Sequence, residues 1–152
     1  RLGTARLTHC MRWLGLSKRC LEEASAYVAH RMSFGQTLAA HEGVQWMLGD
    51  VAKDIQIGRL LTMQAAWKLD QGDFARSDIS IAKIHAADTL HKAADTAIQL
   101  LGARGYSKDT IVEWIYRYAR QARLVDGASE IHKMVLSRAY LSEGQDFFRW
   151  GV

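Results

Sequence analysis

Apolar residues recur at helical spacing in five successive stretches of this chain, and glycines or polar clusters interrupt the period between them. Leu7, Cys10, Met11, Leu14, Leu21, Ala24 and Val28 share one face and predict a helix from about Gly3 to His30. Gly15 inside it costs up to ~1 kcal/mol relative to Ala, which predicts close approach by a neighbour. The stripe ends at R-M-S-F-G-Q, Arg31 to Gln36, where Gly35 is free to take a left-handed backbone. Val44, Met47, Leu48, Val51, Ile55, Gly58, Ala65 and Leu69 predict a second long helix. Ile57, Leu60, Leu61, Met63 and Trp67 widen its apolar surface, as contact on two sides would require, one being a bundle core and the other a second subunit. The third stretch, Ile79, Ala82, Ala86, Leu90, Ala93, Ala97 and Leu100, is alanine-rich and lets helices approach closely. A fourth helix is expected over about Thr110 to Arg123 and a fifth over about Ser129 to Gly144. No stretch shows the period-two alternation of a strand. The pattern therefore predicts one all-α domain over residues 1–152, an antiparallel bundle of about five helices with a four-helix up-and-down core.

Composition narrows this reading. With 49% hydrophobic and 24% charged residues, the chain matches an ordinary globular domain, and its lack of proline favours long uninterrupted helices. No run of about 18 apolar residues is present, so no membrane span is expected, and a soluble protein of the cytoplasm or an organelle matrix is the expectation. The chain opens on Arg1 without methionine, as a piece of a longer protein would. The net charge of +4 invites a nucleic-acid reading, with Arg117, Arg120 and Arg123 as its best support. Those arginines drift around a helix and acidic residues are scattered throughout, so a solvated or anion-facing helix is expected and no nucleic-acid partner. Cys10 and Cys20 form no C-x-x-C and read as reduced thiols. The six histidines lack metal-ligand spacing, so no metal is expected and each defaults to a structural role. The apolar tail, Phe147 to Val152, is expected to dock on something.

The stretch from Arg117 to Arg138 carries the candidate chemistry. A helix-like run ends at Leu124-Val125, a lone acid stands at Asp126, Gly127 breaks the period, and a new helix starts by about Ser129. A carboxylate at such a junction suits a general base, being held by two rigid elements. It also suits a helix N-cap, accepting hydrogen bonds from free backbone N–H groups. Spacing alone leaves both open.

Three junctions stand here in one order: R-M-S-F-G-Q after the first helix, Q-L-L-G-A-R-G-Y (Gln99 to Tyr106) after the third, and L-V-D-G-A-S-E-I (Leu124 to Ile131) between the last two. In this the whole chain resembles the C-terminal helical domain of the flavin-dependent acyl-CoA dehydrogenases, whose complete members also carry an N-terminal helical domain and a middle β-domain. The resemblance implies that Asp126, directly before Gly127, is the catalytic base. Glu is commoner at that position, and a branch associated with long, branched or hydroxylated acyl chains has Asp. A further branch places its glutamate in the first helix, at the position matched by Ala5. Arg31 matches the arginine that reaches the FAD diphosphate of a neighbouring subunit, with Ser33 and Phe34 beside it, and a planar guanidinium fork suits phosphate oxygens. His41 falls where a second flavin contact is frequent. Gln99, Gly102 and Gly105 match the turn that cradles the adenylate part of FAD, with Ala103 replacing a usual glycine. Without the family, that turn reads as a helix C-cap. Glu130 matches a cofactor-contacting Gln or Glu, whereas Ala128 lacks the usual threonine hydroxyl. Arg6 and Gly127 are implied to lie against the reacting acyl group.

The activity implied is FAD-dependent α,β-dehydrogenation of an acyl-CoA thioester to the trans-2-enoyl-CoA. The implied assembly is a homodimer or a dimer-of-dimers tetramer, and the implied acceptor resembles an electron-transfer flavoprotein. A carboxylate is a weak base for an α C–H, so exclusion of water by the acyl chain has to strengthen it. In the family, the thioester oxygen is hydrogen-bonded by the backbone N–H at the catalytic acid and by a flavin hydroxyl. This fragment alone is expected to be inactive. An acyl-CoA oxidase-like flavoenzyme and a non-catalytic helical oligomerisation or binding module are the alternatives.

Overall fold

The structure, a computed structural model, describes residues 2–149 and is all-helical apart from one small hairpin. The α-helices among the described residues are α1 (Leu2–Val28), α2 (Glu42–Asp70), α3 (Arg76–Leu101), α4 (Ala103–Tyr106), α5 (Ile111–Gln121) and α6 (Ser129–Glu143), with short 3-10 turns at Leu38–Ala40 and Gly144–Phe148. The single turn α4 is the α-helix that periodicity missed, because four residues are too few to show a period. The expectation of no strand is also corrected. Met32–Ser33 (β1) pairs antiparallel with Gln36–Thr37 (β2) across a two-residue turn, a hairpin too short to produce visible alternation. In that turn Phe34 (φ 50°) and Gly35 (φ 81°) are both left-handed, as a tight hairpin turn requires.

Helix α3 lies at the centre because its alanines occupy two adjacent stripes. Ala82, Ala86, Ala93 and Ala97 form one, and Ala87 and Ala94 widen it, so α1, α2, α5 and α6 all pack against it. The core is completed by Cys10, Trp13, Leu14, Cys20, Ala24 and Val28 from α1 and by Val112, Ile115 and Ala119 from α5. Side-chain pairing sets the directions. Gln64 Nε2 donates to Asp78 Oδ1 (2.9 Å) and His85 Nε2 to the Asp54 carbonyl (2.8 Å), so α2 runs against α3. The start of α1 meets the start of α3 at Gly3 and Ile79, while Lys83 on α3 reaches Ala122 just beyond α5. Helices α1, α2, α3 and α5 thus alternate in direction as the up-and-down core.

The glycine expectation moves from one helix to another. Gly15 meets nothing within 4 Å, whereas a Cβ on Gly58 of α2 would sit 2.6 Å from Leu14 Cδ2 and 3.2 Å from His85 Cδ2. Close approach is therefore built at Gly58, where three helices converge. Both cysteines are free and buried, and burial pushes each thiol up to about 12. Arg117 pairs with Glu113 one turn earlier and Arg123 with Asp88 on α3, which accounts for two arginines of the basic cluster as surface ion pairs. Phe147 and Phe148 pack against Tyr140 of α6, and the rest of the apolar tail, Trp150 to Val152, lies outside the described residues. No helix described is long and apolar enough to cross a membrane.

Candidate active site

Asp126 stands in the segment between α5 and α6, and its backbone is left-handed (φ 52°), as is that of Gly127 (φ 99°). A non-glycine residue there costs on the order of 1 kcal/mol and persists only where the surroundings hold it. Four side chains from three elements do so. From α1, Arg6 Nε–H donates to the Asp126 carbonyl at 2.9 Å. From α6, His132 Nε2–H donates to the same oxygen at 3.4 Å, while its Nδ1 accepts from Ser80 Oγ–H at 3.0 Å, which assigns the tautomer. From α3, Lys83 Nζ donates to the Gly127 carbonyl and, at 3.3 Å, to the Ala122 carbonyl, bridging the two ends of the segment.

The fourth contact is to the carboxylate itself. His9 Nε2, from α1, meets Asp126 Oδ2. Arg12 donates to His9 Nδ1, so the proton of a neutral ring resides on Nε2 and points at the carboxylate. The His9 ring stacks on the buried Trp13 at 5.4 Å between centroids. Asp126 Oδ1 has no hydrogen-bond partner among the described residues, and neither do the backbone N–H groups of Asp126, Gly127 and Ala128.

This arrangement removes the N-cap reading of Asp126. The N-cap of α6 is Ala128, which makes no side-chain cap hydrogen bond, so the carboxylate is not used to start the helix. It also revises the default for two histidines, since His9 and His132 both touch Asp126. Burial, with the Lys83 charge second, lowers the pKa of His132 and keeps the ring neutral. Burial likewise lowers the pKa of Lys83, a fully buried lysine lying over the Trp13 ring at 5.6 Å. Sequence reasoning missed Lys83, although one signal was available: with Ile79, Ala86 and Leu90 it continues an apolar stripe of α3, so a charge there had to be buried.

The remaining candidates divide between two ends of the bundle. Arg6, Gly127 and Glu130, the last exposed in the first turn of α6, lie at the Asp126 end. An open cleft of about 600 Å³ at that end is lined by Gly3, Thr4, Arg6, Ile79, Ser80 and Val135. Arg31, Ser33, Phe34 and His41 lie at the opposite end, around the hairpin. There His41 Nε2–H donates to the Ser33 carbonyl at 3.1 Å and its Nδ1 accepts from Gln36, so this histidine braces the hairpin. Phe34 is 97% exposed. Arg31 is exposed without a carboxylate partner among the described residues, and it lines a cleft with Tyr27, Leu101, Arg104 and Thr110. The first and second junctions therefore adjoin. Gly102 (φ 59°) ends α3, and Gly105 is buried in α4, where a Cβ would fall 2.8 Å from Leu101 Cβ. Gln99 is exposed on the last turn of α3. From His9 to Val28 runs unbroken helix, about 28 Å at 1.5 Å per residue.

Comparison with known proteins agrees with this architecture. The family model for the C-terminal domain of acyl-CoA dehydrogenase matches residues 1–141. A short-chain-specific acyl-CoA dehydrogenase of Clostridium acetobutylicum is 36% identical over 124 residues, covering 82% of this chain and 33% of its own. Glutaryl-coenzyme A dehydrogenase in complex with glutaryl-CoA superposes with a TM-score of 0.89 at 31% identity over 99% of this chain and 38% of its own. Butyryl-CoA dehydrogenase of Megasphaera elsdenii gives 0.88 at 30% identity over 92% of this chain and 37% of its own. The chain spans only 18 to 38% of the length of the curated relatives it matches. Fold and sequence agree, and the chain belongs to the acyl-CoA dehydrogenase family, matching the model of its C-terminal domain.

Proposed function

We propose that the complete protein of which this chain is the C-terminal domain is an FAD-dependent acyl-CoA dehydrogenase, with Asp126 as its base. The observation that carries this reading is the presentation of Asp126. Its backbone is held in a left-handed conformation by Arg6, His132 and Lys83, while Oδ1 and its own N–H are left without partners among the described residues. A carboxylate and an N–H offered from one residue match a thioester substrate. The carboxylate takes the α proton, and the N–H stabilises negative charge developing on the carbonyl oxygen. As the α C–H bond breaks, its electron pair forms the α,β double bond and the β hydrogen departs as hydride. FAD, when bound, supplies the hydride acceptor that no side chain can provide.

The chain's residues fit such a cofactor. The guanidinium of Arg31, without a carboxylate partner among the described residues, suits a diphosphate, and the exposed Phe34 suits a flat heteroaromatic group. Because Arg31 and Asp126 stand at opposite ends of α1, the reading places Arg31, with Ser33, Gln99, Gly102 and Gly105, against the FAD of a neighbouring copy. Glu130 serves the copy's own site. His41 acts there indirectly, through the hairpin. An oligomer is supported by the apolar residues left exposed on α2, Trp46, Leu60, Met63 and Trp67. The proposed electron acceptor resembles an electron-transfer flavoprotein.

The test is to express the complete protein, record its visible spectrum, and add acyl-CoAs of graded chain length under anaerobic conditions. A flavin band that bleaches with a particular chain length is expected. A colourless protein that cannot be reconstituted with FAD would overturn the reading.

A further inference from the structure

We infer that His9 is a positioning residue for the base, aiming Asp126 by holding one of its carboxylate oxygens. The inference rests on the dehydrogenase reading above and names a residue outside the three junction motifs. Three contacts carry it. His9 Nε2 meets Asp126 Oδ2, Arg12 donates to His9 Nδ1, and the ring stacks on Trp13, which is fully buried. Together they fix the ring's plane, its tautomer and its target. The held oxygen is Oδ2, so Oδ1 is the one left for an α proton.

Asp is one methylene shorter than Glu and reaches less far, so a fixed direction matters more for it. A neutral N–H donor supplies direction without cancelling the charge that makes the carboxylate a base. Lys83 and Arg6, the nearest cations on α3 and α1, bind backbone carbonyls of the segment instead of the carboxylate. His132 of α6 also binds the Asp126 carbonyl, and Glu130 of α6 is solvent-exposed. Among the titratable groups around the junction, His9 is therefore the one that touches the carboxylate. It also sits one helical turn after Ala5, on the same side of α1.

His9→Gln can still donate an N–H to the carboxylate, whereas His9→Ala cannot.

The experiment is anaerobic stopped-flow reduction of the flavin in the complete protein over a range of acyl-CoA concentrations. His9→Ala is expected to slow reduction between about tenfold and a hundredfold, with little change in the half-saturating acyl-CoA concentration. His9→Gln, which restores the N–H, should recover to within about threefold of the parent. Should His9→Ala fail to retain FAD, His9→Leu, which keeps bulk but donates nothing, takes its place. A His9→Ala or His9→Leu variant with the parent's rate would overturn this inference and leave the dehydrogenase reading standing. So would a His9→Gln variant that retains FAD and is as slow as His9→Ala. If the parent itself never bleaches with any acyl-CoA, the dehydrogenase reading falls and this inference with it.

Discussion

Two junctions of this bundle place consecutive residues in the left-handed region, and they hold them by different means. At the hairpin after α1, Phe34 and Gly35 turn in open solvent, braced by His41 within the same short segment. Between α5 and α6, Asp126 and Gly127 turn inside a ring of side chains drawn from α1, α3 and α6. The first is a local solution, stable wherever the turn chemistry is right. The second exists only once the helices have assembled. The difference teaches where function sits: an exposed, self-sufficient turn can be offered to another molecule, whereas a turn held by the core can aim a side chain.

The largest effects should separate these roles. Asp126→Asn keeps the shape of the junction, so FAD should stay bound while flavin reduction falls by at least about 10³-fold, read by anaerobic spectroscopy. Retention of more than a few per cent of the rate would remove Asp126 from the base role. Arg31→Ala should do the reverse, lowering flavin content and loosening the oligomer together, as absorbance ratio and solution mass would report. If both were unchanged, the hairpin would have no part in cofactor binding.

Stability should divide along the same line. Lys83→Met strands the buried carbonyls of Ala122 and Gly127 and should cost about 2 kcal/mol, seen as a lower urea midpoint. His41→Ala, which strips the brace from the open hairpin, should cost about 1 kcal/mol or less by the same measurement. Equal losses would mean that the Asp126 junction is no more dependent on the core than the hairpin.

A finer comparison uses one substitution at both places. Gly127→Ala and Gly35→Ala share the backbone strain of a left-handed alanine, roughly 1–2 kcal/mol. A Cβ at residue 127 would also press on His132 Nε2 at 3.1 Å and Arg6 Nη2 at 3.5 Å, while at residue 35 it meets nothing within 4 Å. Gly127→Ala should therefore be the more destabilising of the two and should alone slow flavin reduction.

The smallest effect concerns pH. Burial lowers the pKa of His132 in the folded protein, so as pH falls below the ordinary value of about 6.5 the unfolded chain takes up a proton that the folded chain resists. Stability contributed by this group is present above that pH and is lost below it. Urea midpoints at pH 7.5 and 5.5 should differ more for the parent than for His132→Gln.

The sequence made the helices legible because their periods are long, and the three breaks legible because glycine marks each of them. The Phe34-Gly35 turn was readable for the same reason: local chemistry determines it. What stayed hidden is whatever one element does for another. Nothing in the spacing of His9, Lys83, Ser80 and His132 says that they converge on residues 126 and 127, because the four come from three helices whose packing only the fold provides. Asp126 itself looked equally like a cap, since a cap and an aimed carboxylate share one position in the chain. The absence of a capping hydrogen bond separates them.

The unbroken length of α1 has a genetic consequence. Under the proposed shared site, with Arg31 at one end of α1 and Asp126 at the other, each site takes its base from one chain and its arginine from the other. Co-expressing Asp126→Asn with Arg31→Ala would then yield mixed pairs in which one site carries both lesions and the other carries neither. Two inactive alleles would restore activity to one another, and no single-chain site of this length could let them do so.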